Sequence, residues 1–221
     1  MSLTNKIDRM NAPRAKHFEL AAVADLHPTQ MTIGMREVAI KRERWREMDV
    51  ERRARFLDKR CVPGVMGPDS RFYITDRHHL AHALYHEGVA HVPVTIVANL
   101  SSLRREVFWS LLERCGWTHP FDDVGRRHRY DDIPNSISNL MDDPFRSLAG
   151  EVKRKGGYSK HKAPFSEFRW ADFLRAKIDR KVVEADFDGA VLLAMGLALS
   201  SETAALPGWR VPASDETIRA R

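Results

Sequence analysis

Apolar and polar positions along the chain predict two kinds of segment. His17–Val23 (HFELAAV) is a short apolar-rich run and predicts a strand. Residues 25–30 follow as a turn or loop, because Pro28 keeps His27 out of the α region. Gly34 opens a long charged helical stretch in which Val38, Trp45 and Met48 recur as one buried stripe requires. Asp49 is placed to cap a second helix through Leu57. Val62–Met66 and Arg71–Thr75 predict two strands around a Gly67–Ser70 turn. After Asp76 the run RHHLAHALYHEG is helical, with Leu80, Leu84 and Tyr85 as its apolar face and Gly88 at the C′ position. His91–Ala98 predicts a further strand.

From Ser101 the pattern turns helical. Ser102 can cap a helix to Glu113, closed by Gly116, and Pro134 sits like an N1 proline for a helix through Met141. Asp142 or Asp143 starts the next helix, Ser166–Leu174 spaces its aromatic residues at helical intervals, and Lys181–Leu199 is a final apolar helical region. The expected fold class is α+β, with a small mixed-sheet domain followed by a mostly helical extension. The expected division is a polar arm at 1–16, the sheet domain at 17–100, the helical extension at 101–200 and a surface tail at 201–221.

Composition narrows the function classes. The 221 residues are 43% hydrophobic and 30% charged, enough for a packed core and too apolar for wholesale disorder. Two cysteines, Cys61 and Cys115, exclude a disulfide framework and a four-cysteine zinc site. The N-terminal residues have no signal-peptide apolar region, and the longest near-apolar run, Gly189–Leu199, is far short of the roughly 20 residues of a membrane span. A cytoplasmic protein without membrane contact is expected. The formal charge of +6 permits a nucleic-acid partner. Along the chain, however, the ten Lys/Arg of residues 35–60 are interleaved with six Asp/Glu, and Arg126–Arg129 is followed at once by Asp131 and Asp132. Ion-paired helix faces explain most of that pattern.

The segment Tyr73–His79 (YITDRHH) carries the most chemistry. A strand ends near Thr75 and a helix begins near Asp76, so unpaired N–H groups and the helix dipole face the junction, where phosphate binds readily. Arg77, His78 and His79 add donors, and Asp76 can cap the helix or orient a histidine. His78, His82 and His86 recur at i, i+4 and i+8, a spacing that can also share a metal, but no second zinc-type pair accompanies them and no metal site is expected. A Mg²⁺ ion carried by a bound nucleotide would need fewer protein ligands.

Thr29-Gln30, Gly34, Glu37, Lys41 and the Asp76-Arg77-His78-His79 loop together resemble the ParB-like nuclease superfamily, the fold of ParB N-terminal domains, sulfiredoxin and the free-serine kinases. Within it the chain is most similar to the group of bacterial proteins named for a ParB-like nuclease. The resemblance spans roughly residues 17–98. It implies that Asp76, His78 and His79 are catalytic, and that Thr29, Gln30, Gly34, Lys41, Arg77, His78 and His79 bind phosphate or nucleotide. Arg77 stands where the kinases have Gly, a change that restricts a positive φ, and Leu80 stands where they have Arg. The kinases' catalytic Glu has no counterpart at Gln30, which cannot act as a base. Glu37, Glu167 and Asp172 are the carboxylates considered for that acid–base role.

The expected function is therefore a nucleotide or phosphorylated small-molecule site at the Asp76–His79 loop, supporting phosphotransfer or nucleotide hydrolysis. The alternatives are a DNA-binding or nuclease protein of the ParB type and a non-catalytic protein-interaction module.

Overall fold

Backbone hydrogen-bonding demand is met first by a five-stranded sheet. The computed structural model describes residues 18–210. The expected polar arm and residues 211–221 of the expected tail lie outside that range. The strands are β1 (Phe18–Ala22), β2 (Leu26–His27), β4 (Val62–Met66), β5 (Phe72–Ile74) and β6 (His91–Asn99). Their order is β1-β6-β4-β5-β2. β1 runs antiparallel to β6 and β5 antiparallel to β4, whereas β6 is parallel to β4 and β2 is parallel to β5. A register shift between Gly64 and Val65 interrupts the β4–β6 ladder. A separate parallel pair joins β3 (Thr32–Ile33) to β7 (Met141–Asp142).

The helices are α1 (Met35–Arg46), α2 (Val50–Asp58), α3 (His78–His86), α4 (Arg105–Arg114), α5 (Pro144–Arg154), α6 (Ser166–Lys177), α7 (Arg180–Ala185) and α8 (Phe187–Ala198). The fold is α+β, with the C-terminal part helical. No helix among the described residues is long and apolar enough to cross a membrane.

Two compact units divide the described residues, one of residues 18–31, 38–120 and 128–140, the other of residues 32–37, 121–127 and 141–210. In the first, the sheet residues Val65, Tyr73 and Ala98 share a core with Phe108, Trp109 and Leu112 of α4. The change of pattern near residue 100 is thus a change of secondary structure inside this unit. In the second, Phe145, Leu148 and Val152 of α5 pack with Trp170 and Leu174 of α6 and Ala190, Val191 and Ala194 of α8.

Several local expectations hold. Val38 and Trp45 are the buried residues of α1, the Asp49 carboxylate accepts the Arg52 N–H at 2.8 Å, and Gly88 follows the C-cap Glu87 with φ +69°. Others change. Tyr85 is 37% exposed, off the buried face of α3. Ser102 does not cap α4, whose N-cap is Arg104. No α-helix forms over 134–141, where Ile137–Asn139 makes a single 3₁₀ turn. The final apolar stretch is two helices, broken where the Asp186 carboxylate caps Gly189 N–H at 2.9 Å. Residues 201–210 of the expected surface tail pack into the second unit, with Thr203 buried and the Pro207 carbonyl accepting Trp170 Nε1–H at 2.8 Å.

Candidate functional site

The parallel β2–β5 pair positions the loop that the sequence singled out. Leu26 pairs with Phe72 and His27 with Tyr73, so both strands end on the same edge. The chain leaving β2 through residues 28–31 there meets the chain leaving β5 through residues 75–79. Ends of parallel strands at such a sheet edge are where α/β proteins commonly hold ligands.

Thr29 joins the two loops, and it is 1% exposed. Its N–H donates to His78 Nε2 at 3.1 Å and its Oγ1 donates to the Ile74 carbonyl at 2.8 Å. Its carbonyl accepts from Thr118 Oγ1 at 2.8 Å and from the His119 N–H at 2.9 Å. Every polar group of Thr29 is therefore engaged inside the protein. His78, 5% exposed, accepts the Thr29 N–H through Nε2, which makes Nε2 the unprotonated nitrogen of that ring. Gln30 is buried beside Thr29 and bridges to His119.

Arg77, and not Asp76, is the N-cap of α3, and it makes no side-chain capping hydrogen bond. Its backbone is left-handed, φ +66° and ψ +27°. A Cβ-bearing residue pays roughly 1–2 kcal/mol for that conformation, so Arg77 keeps the backbone a glycine would take and bears the strain. The Asp76 carboxylate accepts the Arg77 N–H at 2.6 Å. One guanidinium nitrogen of Arg77, Nη1, is buried and has no hydrogen-bond partner among the described residues. His79 is half-buried on the first turn of α3, and Lys41 is half-buried on α1.

His82, one turn beyond His78, is different. It is 3% exposed, its ring lies 4.5 Å from that of His86, and neither of its nitrogens has a hydrogen-bond partner among the described residues. Burial above all, then the charges of His86 and Arg42, pushes its pKa down to about 4, so it is neutral at pH 7. Among the described residues no three His, Cys, Asp or Glu side chains gather to hold a metal ion.

Gly34, Glu37, Glu167 and Asp172 belong to the second unit. A Cβ on Gly34 would lie 2.7 Å from Ser147 N and 2.8 Å from Ser147 Oγ, so this glycine serves the close approach of the chain to α5. Glu167 pairs with Lys153. Burial works to raise the Glu167 pKa, but Lys153 and then Arg146 outweigh it and hold the carboxylate below its ordinary range. Asp172 is exposed and pairs with Arg175, which also holds the buried Asp143 at 2.5 Å.

Sequence reasoning missed Arg146. It is 5% exposed, its guanidinium carbon lies 3.4 Å from the Phe168 ring centroid, and Nε and Nη1 lack hydrogen-bond partners among the described residues. Burial presses its pKa down against the opposing charges of Glu167, Asp143 and Glu37. The only trace in the sequence is a lone cation beside the apolar positions 145, 148, 149 and 152 of α5.

No curated protein matches the chain. Among solved structures, the crystal structure of protein Atu1540 from Agrobacterium tumefaciens is similar, with 46% sequence identity and a TM-score of 0.84 over 90% of this chain and 98% of that one. Residues 20–176 match the family described as "Putative ParB-like nuclease". The chain belongs to that ParB-like family.

Proposed function

We propose that this ParB-like protein binds the phosphate of a nucleotide or phosphorylated small molecule at the N-terminus of α3 and acts there in phosphotransfer or nucleotide hydrolysis. The observation that carries this reading is Arg77, a strained N-cap residue whose buried Nη1 has no hydrogen-bond partner among the described residues. Strain of this kind is tolerated where a site needs it, and an unsatisfied buried donor costs about 1–3 kcal/mol until something accepts from it. A phosphate oxygen is the acceptor that a guanidinium beside a helix N-terminus fits.

The roles then divide. Arg77, His79 and the first N–H groups of α3 bind the phosphate, with Gln30 and Lys41 as further donors. Thr29 and His78 are positioning residues, since their mutual hydrogen bond fixes one loop against the other. Asp76 is the carboxylate on the loop, and its oxygen not held by the Arg77 N–H acts as the base. In hydrolysis water adds its oxygen to the terminal phosphorus, the bridging P–O bond breaks, and the proton from water passes to Asp76. A Mg²⁺ ion carried by the nucleotide would need few ligands from the protein.

Thermal unfolding with ATP, ADP, pyrophosphate and phosphate tests the binding step. The expected result is a rise in Tm with at least one of them, absent in Arg77→Ala and His79→Ala. No shift with any of the four overturns the reading. Phosphate release by the wild-type protein and its loss in Asp76→Asn tests the chemical step.

A further inference from the structure

We infer that the N-terminus of α6 holds the carboxylate of a small organic acid, gripped by Arg146 and Ser166, at a site apart from the α3 loop. Two buried donors meet at that helix end. Ser166 opens α6, is 9% exposed, and its Oγ has no hydrogen-bond partner among the described residues. Arg146 of α5 is 5% exposed, and its Nε and Nη1 are likewise unpartnered. Its guanidinium carbon lies 3.4 Å from the ring centroid of Phe168, on the same first turn of α6.

The helix end carries no side-chain cap. Phe165, the N-cap residue, is left-handed, φ +57° and ψ +26°, and makes no capping hydrogen bond. α3 begins in the same way on Arg77. The first N–H groups of a helix have no acceptor inside it, and the dipole favours an anion beside them.

The acids nearby are committed elsewhere. Glu167 acts on Arg146 most strongly, then Asp143, then Glu37. Glu167 is paired with Lys153, and Asp143 is held by Arg175 at 2.5 Å. Glu37 lies farther along α5, where its Oε2 would be 3.5 Å from a Cβ on Gly150. None of the three accepts from Nε or Nη1. Arginine stays charged when buried, and a buried charge calls for an acceptor.

The chemistry selects a carboxylate. Its two oxygens offer about four lone-pair sites, enough for Arg146, Ser166 and a helix N–H together. A phosphate monoester would bring about two negative charges to a place that already holds Glu167 and Glu37, whereas one carboxylate balances one guanidinium. Residues 159–165 run into this helix end without helix or strand, and Lys160, His161 and Lys162 among them are exposed. Their charge draws an anion in, and the loop gives way to admit it.

Thermal unfolding of the full chain in sodium acetate, sodium phosphate and sodium chloride at one ionic strength tests this. At a Kd of about 1 mM, about 20 mM acetate raises Tm by about 4–7 °C over chloride. Arg77→Ala keeps the whole acetate rise, which separates this site from the α3 loop. Ser166→Ala weakens acetate binding at least fivefold. Its own Tm in chloride equals or exceeds that of the wild type, because the hydroxyl has no hydrogen bond to lose, and this shows that the variant is folded. The Nε–H resonance of Arg146, assigned through its bonds in a nitrogen-labelled sample, moves with acetate and stays in place with chloride. The inference is overturned by an acetate effect no larger than that of chloride, by its loss in Arg77→Ala, by its survival in Ser166→Ala, by an unmoved Arg146 signal, or by phosphate as effective as acetate on the Arg77→Ala protein.

Discussion

The first unit holds two cationic regions that are built in opposite ways. At the α3 junction a single arginine sits in a strained backbone, with a buried nitrogen and neighbours tied to one another by short hydrogen bonds. In the groove between α1 and α2 five cations, Arg44, Arg52, Arg55, Lys59 and Arg60, stand on regular helix and turn, exposed and loosely paired. The junction is preorganised and spends stability to be so. The groove costs almost nothing and can offer only charge. The junction should therefore respond to the change of single atoms, and the groove to ionic strength.

That contrast can be broken most forcefully through His82, buried on α3 one turn beyond the junction. Its folded pKa of about 4 lies below the ordinary 6.5. The unfolded chain takes up a proton as pH falls through 6.5, while the folded chain resists until about 4. Stability is therefore full above 6.5 and falls by about 3 kcal/mol across that window. Urea unfolding at pH 7 and pH 4.5 should show the slope, and His82→Leu should remove its share. A wild-type curve flat over this range would mean that His82 is not held neutral.

Next in size is the clamp. Thr29→Val keeps the shape of the side chain and deletes its donor to the Ile74 carbonyl, which is expected to cost about 1–3 kcal/mol in chemical unfolding. An unchanged midpoint would remove Thr29 from its positioning role. Arg77→Gly separates strain from binding, because glycine takes φ +66° without penalty. The variant should be about 0.5–1 kcal/mol more stable by calorimetry while losing the nucleotide-dependent rise in Tm. Lower stability would mean that the arginine side chain gives back more than its backbone spends. Smallest of all, Arg55→Gln in the groove should shift stability by under about 0.5 kcal/mol, as its pair with Glu51 is exposed. A larger loss would mean that Arg55 holds more of the structure than its exposed pair with Glu51 implies.

What was legible in the sequence followed from local rules. The Val38–Trp45 stripe, the Asp49 cap and Gly88 at the end of α3 each rest on residues within a turn or two of one another. The Asp76–His79 loop stands out in the sequence because a strand–helix junction with that residue set is a local pattern. What the sequence hid was contact between distant segments. Thr29 and His78 are 49 positions apart, and no periodicity records their hydrogen bond. The segment after Pro134 reads as helix by its proline, but Ser136 caps Ser138 N–H through its own hydroxyl and the turn goes no further. Pro207 joins the core because Trp170 needs an acceptor 37 positions away. Arg77 was the reverse case. The sequence argued that an arginine resists a positive φ, and the fold imposes it anyway.

The β3–β7 pair has a consequence for the order in which the protein is made. Thr32 and Ile33 bond to Met141 and Asp142, so the second unit borrows a segment that leaves the ribosome about 110 residues before its partner. At translation rates of about 5–20 residues per second, that segment waits on the order of 5–20 s. The sheet of the first unit closes on β6, which ends at Asn99 and is synthesised within that interval. The nascent chain can thus complete its sheet while β3 is still unpaired, and the second unit is the last to be born.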